Sequence, residues 1–268
     1  MSANNTTNKK KTRKKHNRLS TVLIIICVIV IIISGTFLIR QIADYKADDA
    51  VYEQAIEYAG IESDTSGSDA ASGTGSQTTE AFPEIDFPTL LAEGPEVKAW
   101  LQIPDTVINY PVTQSDDDSY YLTHLYNMKS GKAGSLFIEA ENKSDFSDPN
   151  TIIYGHSMKN GSMFAYLLRF HNQDYFDSHS YGYLVTPEED YKLVFFAAFT
   201  AQPGETGNSS PWKISFTDSE EYASWLDNMK SRSDVSSDIQ VSTGDRTVTL
   251  STCSQKGKKR YVVIGKIE

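Results

Sequence analysis

The chain has 268 residues, of which 25 are basic and 35 are acidic, and these charges are distributed unevenly. Eight basic and no acidic residues lie between the N-terminus and Arg40, whereas 17 basic and 35 acidic residues follow and give that part a formal net charge of −18. So acidic a surface excludes nucleic acid as a partner, because its binding depends on neutralising phosphates. The five histidines show no zinc-ligand spacing, and Asp116–Asp118 predicts a solvated turn rather than a calcium loop, so we expect no metal and no cofactor.

The first 39 residues have the pattern of a membrane anchor. Residues 1–18 form a basic tail, and residues 19–39 are uncharged and rich in Ile, Val and Leu. A helix of that length spans roughly 30 Å, the thickness of a hydrocarbon core. The apolar run continues past the faint cleavage-like sequence at residues 34–36, which favours an uncleaved anchor over a signal peptide. Because basic residues stay in the cytoplasm, we expect a single-pass protein of the cell membrane, with its N-terminus inside and the remainder outside.

Two further segments separate this anchor from a globular domain. Residues 40–59 predict a juxtamembrane helix with a narrow apolar seam, which fits either pairing with another chain or a simple stalk. Residues 60–82 are mostly Ser, Thr, Gly, Ala and acidic residues, and they predict a flexible linker. Residues 83–268 suffice for one domain with a full core. We expect nothing before Phe82 to contribute to that core, so that removing residues 1–81 leaves the domain soluble and active.

Strand patterns dominate the globular part. Three helices are predicted among the strands, at Pro95–Leu101, at Met163–Phe170 and at Asp218–Met229, the last with a capping box of Thr217 and Glu220. Eight short strands in one domain favour a closed or nearly closed antiparallel β-barrel, a mainly β fold with helices. The predicted strands, each rich in β-branched or aromatic residues, are Thr106–Val112, Ser135–Glu139, Thr151–Tyr154, Tyr183–Thr186, Lys192–Thr200, Ile239–Thr243, Arg246–Thr252 and Arg260–Ile267.

Cys253 is the one cysteine outside the apolar run that contains Cys27, so the two cannot pair. A lone thiol in an exported domain fits either a small buried hydrophobe or a nucleophile. Cys253 follows one predicted strand and Arg260 begins the next, so a hairpin would bring them opposite each other. There the guanidinium favours the thiolate and lies where an oxyanion develops during acyl transfer. The alternative is a surface arginine beside a tight turn.

A cysteine nucleophile needs a proton carrier, and histidine suits that role at neutral pH. His156 follows a buried-type strand and Gly155, which lets the chain turn sharply, so we expect His156 at a rim of the barrel. His124, His171 and His179 lie in polar, helical or loop segments without this framing. Spacing alone does not select His156 over them.

Several blocks of sequence together resemble the class B sortases. The membrane anchor and the acidic linker also fit a transpeptidase of a Gram-positive cell envelope. The blocks follow the family order through about residues 84–268, and they are Trp100–Val112, Gly134–Ile138, Tyr154–His156, Asn160–Phe164, and Thr249–Cys253 with Arg260.

The resemblance implies an eight-stranded sortase barrel and a cysteine transpeptidase, a thiol protease by its chemistry. Cys253 would attack the carbonyl of a threonine in the C-terminal sorting signal of a secreted protein, and His156 would protonate the leaving amine. Arg260 would steady the oxyanion, and an amine of a peptidoglycan precursor would then resolve the thioester. The family also implies substrate contacts for five residues, Thr123, Tyr154, Trp212, Ser251 and Thr252.

Gln255 stands where some class B sortases have an acid, which leaves no carboxylate close in sequence to orient His156. Other interpretations of the chain stay open. It fits a secreted cysteine peptidase that hands the acyl group to water, or a sortase that polymerises pilins. It also fits a membrane-tethered binding module whose thiol is inert.

Overall fold

The computed structural model describes residues 18–59, 82–254 and 259–268, including all their side chains except those of residues 18–20, 253 and 254. Contacts divide the chain into two compact units, Met1–Ala43 and Asp44–Glu268. Within the described ranges one helical stretch, Thr21–Glu57, is long and apolar enough to cross a membrane. The predicted basic tail through residue 17, the predicted linker through residue 81 and Gln255 all fall outside the described residues.

The described residues contain eight strands that form a closed barrel, as the sequence predicts, and the strand order is β1-β2-β3-β4-β7-β8-β6-β5. The expectation of a wholly antiparallel barrel is wrong, because β2 pairs with β3 in parallel and β4 with β7 in parallel. Parallel neighbours need a long connection, and β5, β6, two α-helices and two 3₁₀ helices lie between β4 and β7. The strands are β1 Val97–Gln102, β2 Asn109–Thr113, β3 Leu136–Ile138, β4 Asn150–Gly155, β5 Tyr181–Val185, β6 Asp190–Ala201, β7 Thr247–Ser254 and β8 Lys259–Ile267.

Two predictions of secondary structure are wrong: one segment predicted as a helix is a strand, and one predicted as a strand is irregular. The number of strands therefore stays at eight. The segment expected to be a helix at Pro95–Leu101 contains β1, which pairs with β2 on one side and β5 on the other. Tertiary pairing here overrides the helix propensity of its Lys, Ala, Leu and Gln residues. The segment expected to be a strand at Ile239–Thr243 is irregular, and Lys230 Nζ donates a 2.8 Å hydrogen bond to the Ile239 carbonyl.

In the part of the chain that the structure describes, four α-helices and three 3₁₀ helices accompany the strands. The helix predicted at Met163–Phe170 is one of the 3₁₀ helices, and the N-cap of α4 is Asp218 rather than Thr217. The Asp218 carboxylate accepts from Glu221 N at 2.9 Å, while the Glu221 carboxylate accepts from Thr217 N at 2.7 Å. The α-helices are α1 Arg18–Glu57, α2 Phe87–Glu93, α3 Gln173–Ser178 and α4 Ser219–Ser231, and the 3₁₀ helices are Tyr120–Leu122, Phe164–His171 and Gly207–Ser209.

The apolar interior forms two clusters on opposite sides of β6. Phe195 belongs to the larger cluster with Trp100 and Leu250, whereas its neighbour Phe196 belongs to a smaller cluster with Trp225 of α4. Successive strand residues point to opposite faces, so β6 is buried on both sides. This double burial holds β8, its antiparallel partner, firmly in place beside β7.

The C-terminal part of α1 belongs to the larger cluster. Tyr52, Ala55 and Ala59 are all buried in it, and the Tyr52 ring lies edge-on to Tyr110 of β2 at 5.2 Å between centroids. The expectation that nothing before Phe82 contributes to the core is therefore wrong. From Tyr52 onward, the apolar seam of the juxtamembrane helix is covered by this chain's own barrel, whereas Ile42 is exposed.

Candidate active site

Strand register brings the three predicted catalytic residues to one end of the barrel. In the parallel pair of β4 and β7, Gly155 lies opposite Thr252, so His156 and Cys253 are the next residues along the two strands. In the antiparallel pair of β7 and β8, Cys253 lies opposite Arg260. The hairpin expected between the two strands is present, and the three residues stand at the ends of three adjacent strands.

Gly155 allows β4 to reach this end of the barrel. A Cβ at that position would lie 2.5 Å from Leu136 Cδ2 and 2.7 Å from Phe164 Cδ2, closer than real Cβ contacts come. Only glycine therefore fits between β3 and the 3₁₀ helix that follows. This close approach places the half-buried His156 directly after the strand end.

The His156 ring is held by a main-chain carbonyl. Its Nε2 lies 2.8 Å from the Leu122 oxygen, and because a carbonyl only accepts, Nε2 carries a proton in this arrangement. In the neutral ring Nδ1 is then the nitrogen that can take up a proton. Sequence reasoning missed this partner, because a backbone oxygen in a 3₁₀ turn 34 residues upstream leaves no signal in residue types.

A cavity of about 280 Å³ opens at the same strand ends. Tyr154 of β4, Ser251 of β7 and Arg260 of β8 contribute to its wall, so one side of it is made by the strands that carry the candidate catalytic residues. The residues that line it are Asp118, Leu122, Phe137, Tyr154, Gly155, Pro203, Gly204, Trp212, Ser251 and Arg260. We call this cavity the groove.

Trp212 is fixed in the groove by two sets of hydrogen bonds. Its Nε1 donates to Ser251 Oγ at 2.9 Å, which joins its loop to β7. The buried Asn150 carboxamide donates to the carbonyls of Pro211 and Lys213, at 3.1 and 3.0 Å, and so holds the residues on either side of Trp212. The predicted substrate-contacting residues Tyr154, Trp212 and Ser251 thus lie together.

The other two predicted substrate-contacting residues lie elsewhere. Thr252 is buried, and its Oγ1 has no hydrogen-bond partner among the described residues. Thr123 lines a second cavity of about 640 Å³, and His156 lies on the wall of that cavity as well. Leu122 borders both cavities and separates Thr123 from the groove.

An acidic pair beside the groove was missed by sequence reasoning. The Tyr154 hydroxyl donates to Glu139 Oε2 at 2.6 Å, and Glu139 is also hydrogen-bonded to Asp118. Burial is the main cause that raises the pKa of Glu139 from 4.5 to about 7, and the hydrogen bond with Asp118 is the next. Burial and the bond to Glu139 raise the pKa of Tyr154, which the positive charge of Arg260 partly offsets.

The sequence predicts the turn that contains Asp118 but not the contact between Asp118 and Glu139. The run of three aspartates does make a turn, in which Asp117 accepts from the amides of Ser119 and Tyr120. Asp118, however, accepts from Ala140 N at 2.8 Å, and this contact ties the turn to the end of β3. No group of three or more His, Cys, Asp or Glu side chains with a metal-binding arrangement occurs among the described residues.

Comparison with known proteins gives a consistent family. A sequence model of the sortase domain matches residues 101–268. Sortase B of Listeria monocytogenes is 36% identical over 175 residues, which cover 64% of this chain and 70% of that protein. A structure of sortase B from Bacillus anthracis in complex with AAEK1 superposes with a TM-score of 0.69 at 30% identity, over 84% of this chain and 98% of the other.

A Staphylococcus aureus sortase B–substrate complex superposes with a TM-score of 0.64 at 28% identity, over 68% of this chain and 84% of the other. The family model, the sequence relatives and the superposed barrels all indicate the same family. The chain belongs to the sortase family of cysteine transpeptidases and is a class B sortase.

Proposed function

We propose that Cys253, His156 and Arg260 carry out a two-step acyl transfer from a C-terminal sorting signal to a peptidoglycan amine. In the first step the Cys253 sulfur, its proton passed to His156, bonds to the carbonyl carbon of a threonine in the signal. The amide bond between this carbon and the nitrogen of the next residue breaks, and His156 donates a proton to that nitrogen. In the second step the amine nitrogen bonds to the same carbon, the sulfur leaves, and the amine proton returns to His156.

The register of the three strand ends supports these roles. Cys253 and Arg260 are direct partners across β7 and β8, and His156 follows Gly155 one step beyond its pairing with Thr252. A guanidinium beside the attacking sulfur can donate two directed hydrogen bonds to the oxyanion that forms in each step. This juxtaposition carries the proposal.

The groove is the proposed site of the sorting signal. It reaches Arg260 and contains Trp212, whose indole offers a flat apolar surface, together with Ser251 and Tyr154. A structure of the Staphylococcus aureus relative contains a substrate, which supports a peptide in the equivalent groove here. Thr252 and Thr123 are proposed to contact the substrate from the buried strand end and from the second cavity.

The membrane topology is part of the same proposal. Residues 19–39 form the single anchor, and the basic residues before them keep the N-terminus in the cytoplasm. The catalytic domain then lies outside the cell, where secreted proteins and cell-wall precursors are available. Protease digestion of intact cells should remove the barrel and spare residues 1–18.

Transfer to an amine is tested with the full-length protein in detergent and a fluorescent peptide that carries a sorting signal. We expect a ligated product that depends on added amine, and none from Cys253→Ala. His156→Ala should slow the reaction by about 10²–10⁴-fold, the usual contribution of a general acid–base. His171→Ala is the matched control, because His171 is exposed at the end of its 3₁₀ helix, is hydrogen-bonded to the Leu168 carbonyl and lines neither cavity.

Each competing interpretation gives a different result. Cleavage at the same rate with and without amine, and no ligated product, would make the protein a peptidase. Preference for a lysine side chain of a pilin over a peptidoglycan amine would make it a polymerising sortase. If Cys253 reacts with iodoacetamide only after unfolding, the protein is a binding module with an inert thiol.

A further inference from the structure

His156 is packed against the segment of residues 131–135. Gly134 in that segment has a φ of +59°, and a Cβ there would lie 2.5 Å from the Tyr121 oxygen and 3.1 Å from His156 Cδ2. The backbone of Gly134 therefore touches the imidazole ring directly. The same Cβ would lie 3.0 Å from the Leu122 oxygen, which is the partner of His156 Nε2. A shift of this segment would move both the ring and the carbonyl that orients it.

Two side chains of α1 hold the segment in place. The Asp48 carboxylate accepts from the amides of Lys132 and Ala133, at 2.7 and 2.9 Å, through the single oxygen Oδ2. The Tyr52 hydroxyl donates to the carbonyl of Gly134. Asp48 is only 6% exposed and Tyr52 only 4%. Buried polar groups of this kind are costly unless they are paired, so the helix and the segment hold each other in one arrangement.

The same helix also contacts the chain that follows His156. The Tyr52 ring packs edge-on against Tyr110, whose hydroxyl accepts from Met163 N at 3.2 Å. Asn160 Nδ2 lies 3.3 Å from each carboxylate oxygen of Asp49. The helix α1 therefore contacts both the segment of residues 131–135, which packs against His156, and the segment that follows His156 in the chain.

The remaining side of His156 is open. The second cavity, about 640 Å³, extends from Asp44 and Asp48 of α1 to the His156 ring. Close packing therefore does not fix the ring on that side. Its position depends on the Leu122 carbonyl and on the segment behind it, which gives the contacts from α1 their importance.

We infer that Asp48 and Tyr52 are positioning residues for His156, so that the juxtamembrane helix sets the geometry of proton transfer. This inference rests on the proposed role of His156 as the proton carrier. Neither side chain needs to touch the substrate. Both act through residues 131–135, and their loss should lower kcat while binding of the sorting signal in the groove is unchanged.

The test compares five variants of the full-length protein in detergent. Asp48→Ala removes the acceptor of two backbone amides, and Tyr52→Phe removes only the hydroxyl that holds the Gly134 carbonyl. Glu53→Gln is the control for charge on the same helix, since Glu53 is exposed. Tyr58→Phe is the control for a lost hydroxyl, because the Tyr58 hydroxyl donates to Glu93 and accepts from Gln54, both outside the segment. Asp48→Asn retains one carbonyl oxygen and should restore much of the activity lost in Asp48→Ala.

Two readouts separate positioning from folding. The first is amine-dependent ligation, in which kcat should fall about 10-fold or more for Asp48→Ala and several-fold for Tyr52→Phe, with KM for the peptide unchanged. The second is the rate at which diethylpyrocarbonate modifies His156, measured by mass spectrometry against His171 and His179. That rate should rise in both variants, because Nε2 is released from the Leu122 carbonyl. Neither value should change in the two controls.

The possible results have distinct meanings. A faster modification of His156 with unchanged kcat would show that Asp48 and Tyr52 position the His156 ring, but it would remove His156 from its proposed catalytic role. A lower kcat with unchanged modification of His156 would overturn the inference, and so would wild-type values of both readouts. If Asp48→Ala fails to unfold cooperatively, Tyr52→Phe and Asp48→Asn decide the question alone.

Discussion

At Arg260 the relevant question is whether the reaction needs a positive charge or the planar guanidinium. Lysine keeps the charge but cannot donate two directed hydrogen bonds from one plane. We expect Arg260→Lys to lose about 2.7–4 kcal/mol of transition-state stabilisation, the range for removal of one oxyanion donor. The measurement is kcat/KM for ligation of the sorting peptide.

Lys259→Arg provides the control for that substitution, since it changes a cation at the neighbouring position of β8 without altering Arg260. The unfolding midpoint and the alkylation rate of Cys253 should stay near the wild-type values in Arg260→Lys. Near wild-type ligation by the lysine variant would reduce the role of Arg260 to that of a nearby charge.

Glu139 links the stability of the groove to pH. Its pKa rises from 4.5 to about 7 on folding, so the folded protein holds this proton more tightly than the unfolded chain does. The stability that results is fully present below pH 4.5 and is lost as pH rises through about 7. Glu139→Gln is uncharged at every pH and retains an oxygen for the Tyr154 hydroxyl. Its stability relative to wild type should therefore increase between pH 4.5 and pH 8.

Urea denaturation of wild type and Glu139→Gln across this pH range measures the difference. Glu141→Gln is the matched control, because Glu141 is exposed two residues further along the chain. Parallel stability curves for wild type and Glu139→Gln would show that folding leaves the pKa of Glu139 unchanged.

At the scale of whole elements, Asn150 joins two strands and a loop. Its carboxamide donates to Pro211 and Lys213, while its Oδ1 accepts from the hydroxyls of Thr247 and Thr249 on β7. Asn150→Ala leaves buried carbonyls unpaired, each of which costs about 1–3 kcal/mol. We expect a loss of about 3 kcal/mol in unfolding free energy and a higher KM for the sorting peptide, because the loop that carries Trp212 is released.

Asn127→Ala is a suitable comparison, since the Asn127 carboxamide accepts one 3.3 Å bond within a turn. Urea denaturation gives the free energies, and ligation kinetics at varied peptide concentration give KM. An unchanged KM in Asn150→Ala would show that Trp212 is held by its bond to Ser251 alone.

Local patterns predicted the elements whose partners are close in sequence. The hairpin of β7 and β8, with Cys253 opposite Arg260, follows from two adjacent strand patterns and a short connection. By contrast, β1 becomes a strand only because β2 and β5 pair with it. The Leu122 carbonyl that holds His156 is a long-range contact of the main chain, and residue types carry no record of it.

Across the whole molecule, the helix before the linker contributes to the stability of the barrel. A protein that lacks residues 1–39 keeps Tyr52, Ala55 and Ala59 in the core, whereas one that lacks residues 1–81 loses all three. Removing a large aromatic side chain from a core costs about 3–5 kcal/mol. We therefore expect the shorter protein to unfold at a clearly lower urea concentration.

The comparison uses urea denaturation and ligation activity of the two truncated proteins. Equal midpoints and equal activity would show that α1 contributes nothing essential, as the amino-acid pattern alone predicts. A lower midpoint with normal kcat at low temperature would assign α1 a role in stability and none in positioning His156.

The strand order has a consequence for how the protein is made. β7 and β8 follow the other six strands in sequence, yet they lie between β4 and β6 in the barrel. During synthesis the first six strands can form only an open sheet, with β4 and β6 as unpaired edges that attract other chains. Cys253 pairs with Arg260 within the last hairpin, but this hairpin comes to lie beside Gly155 and His156 only when it inserts between these edges, so barrel closure and assembly of the proposed catalytic site are one event.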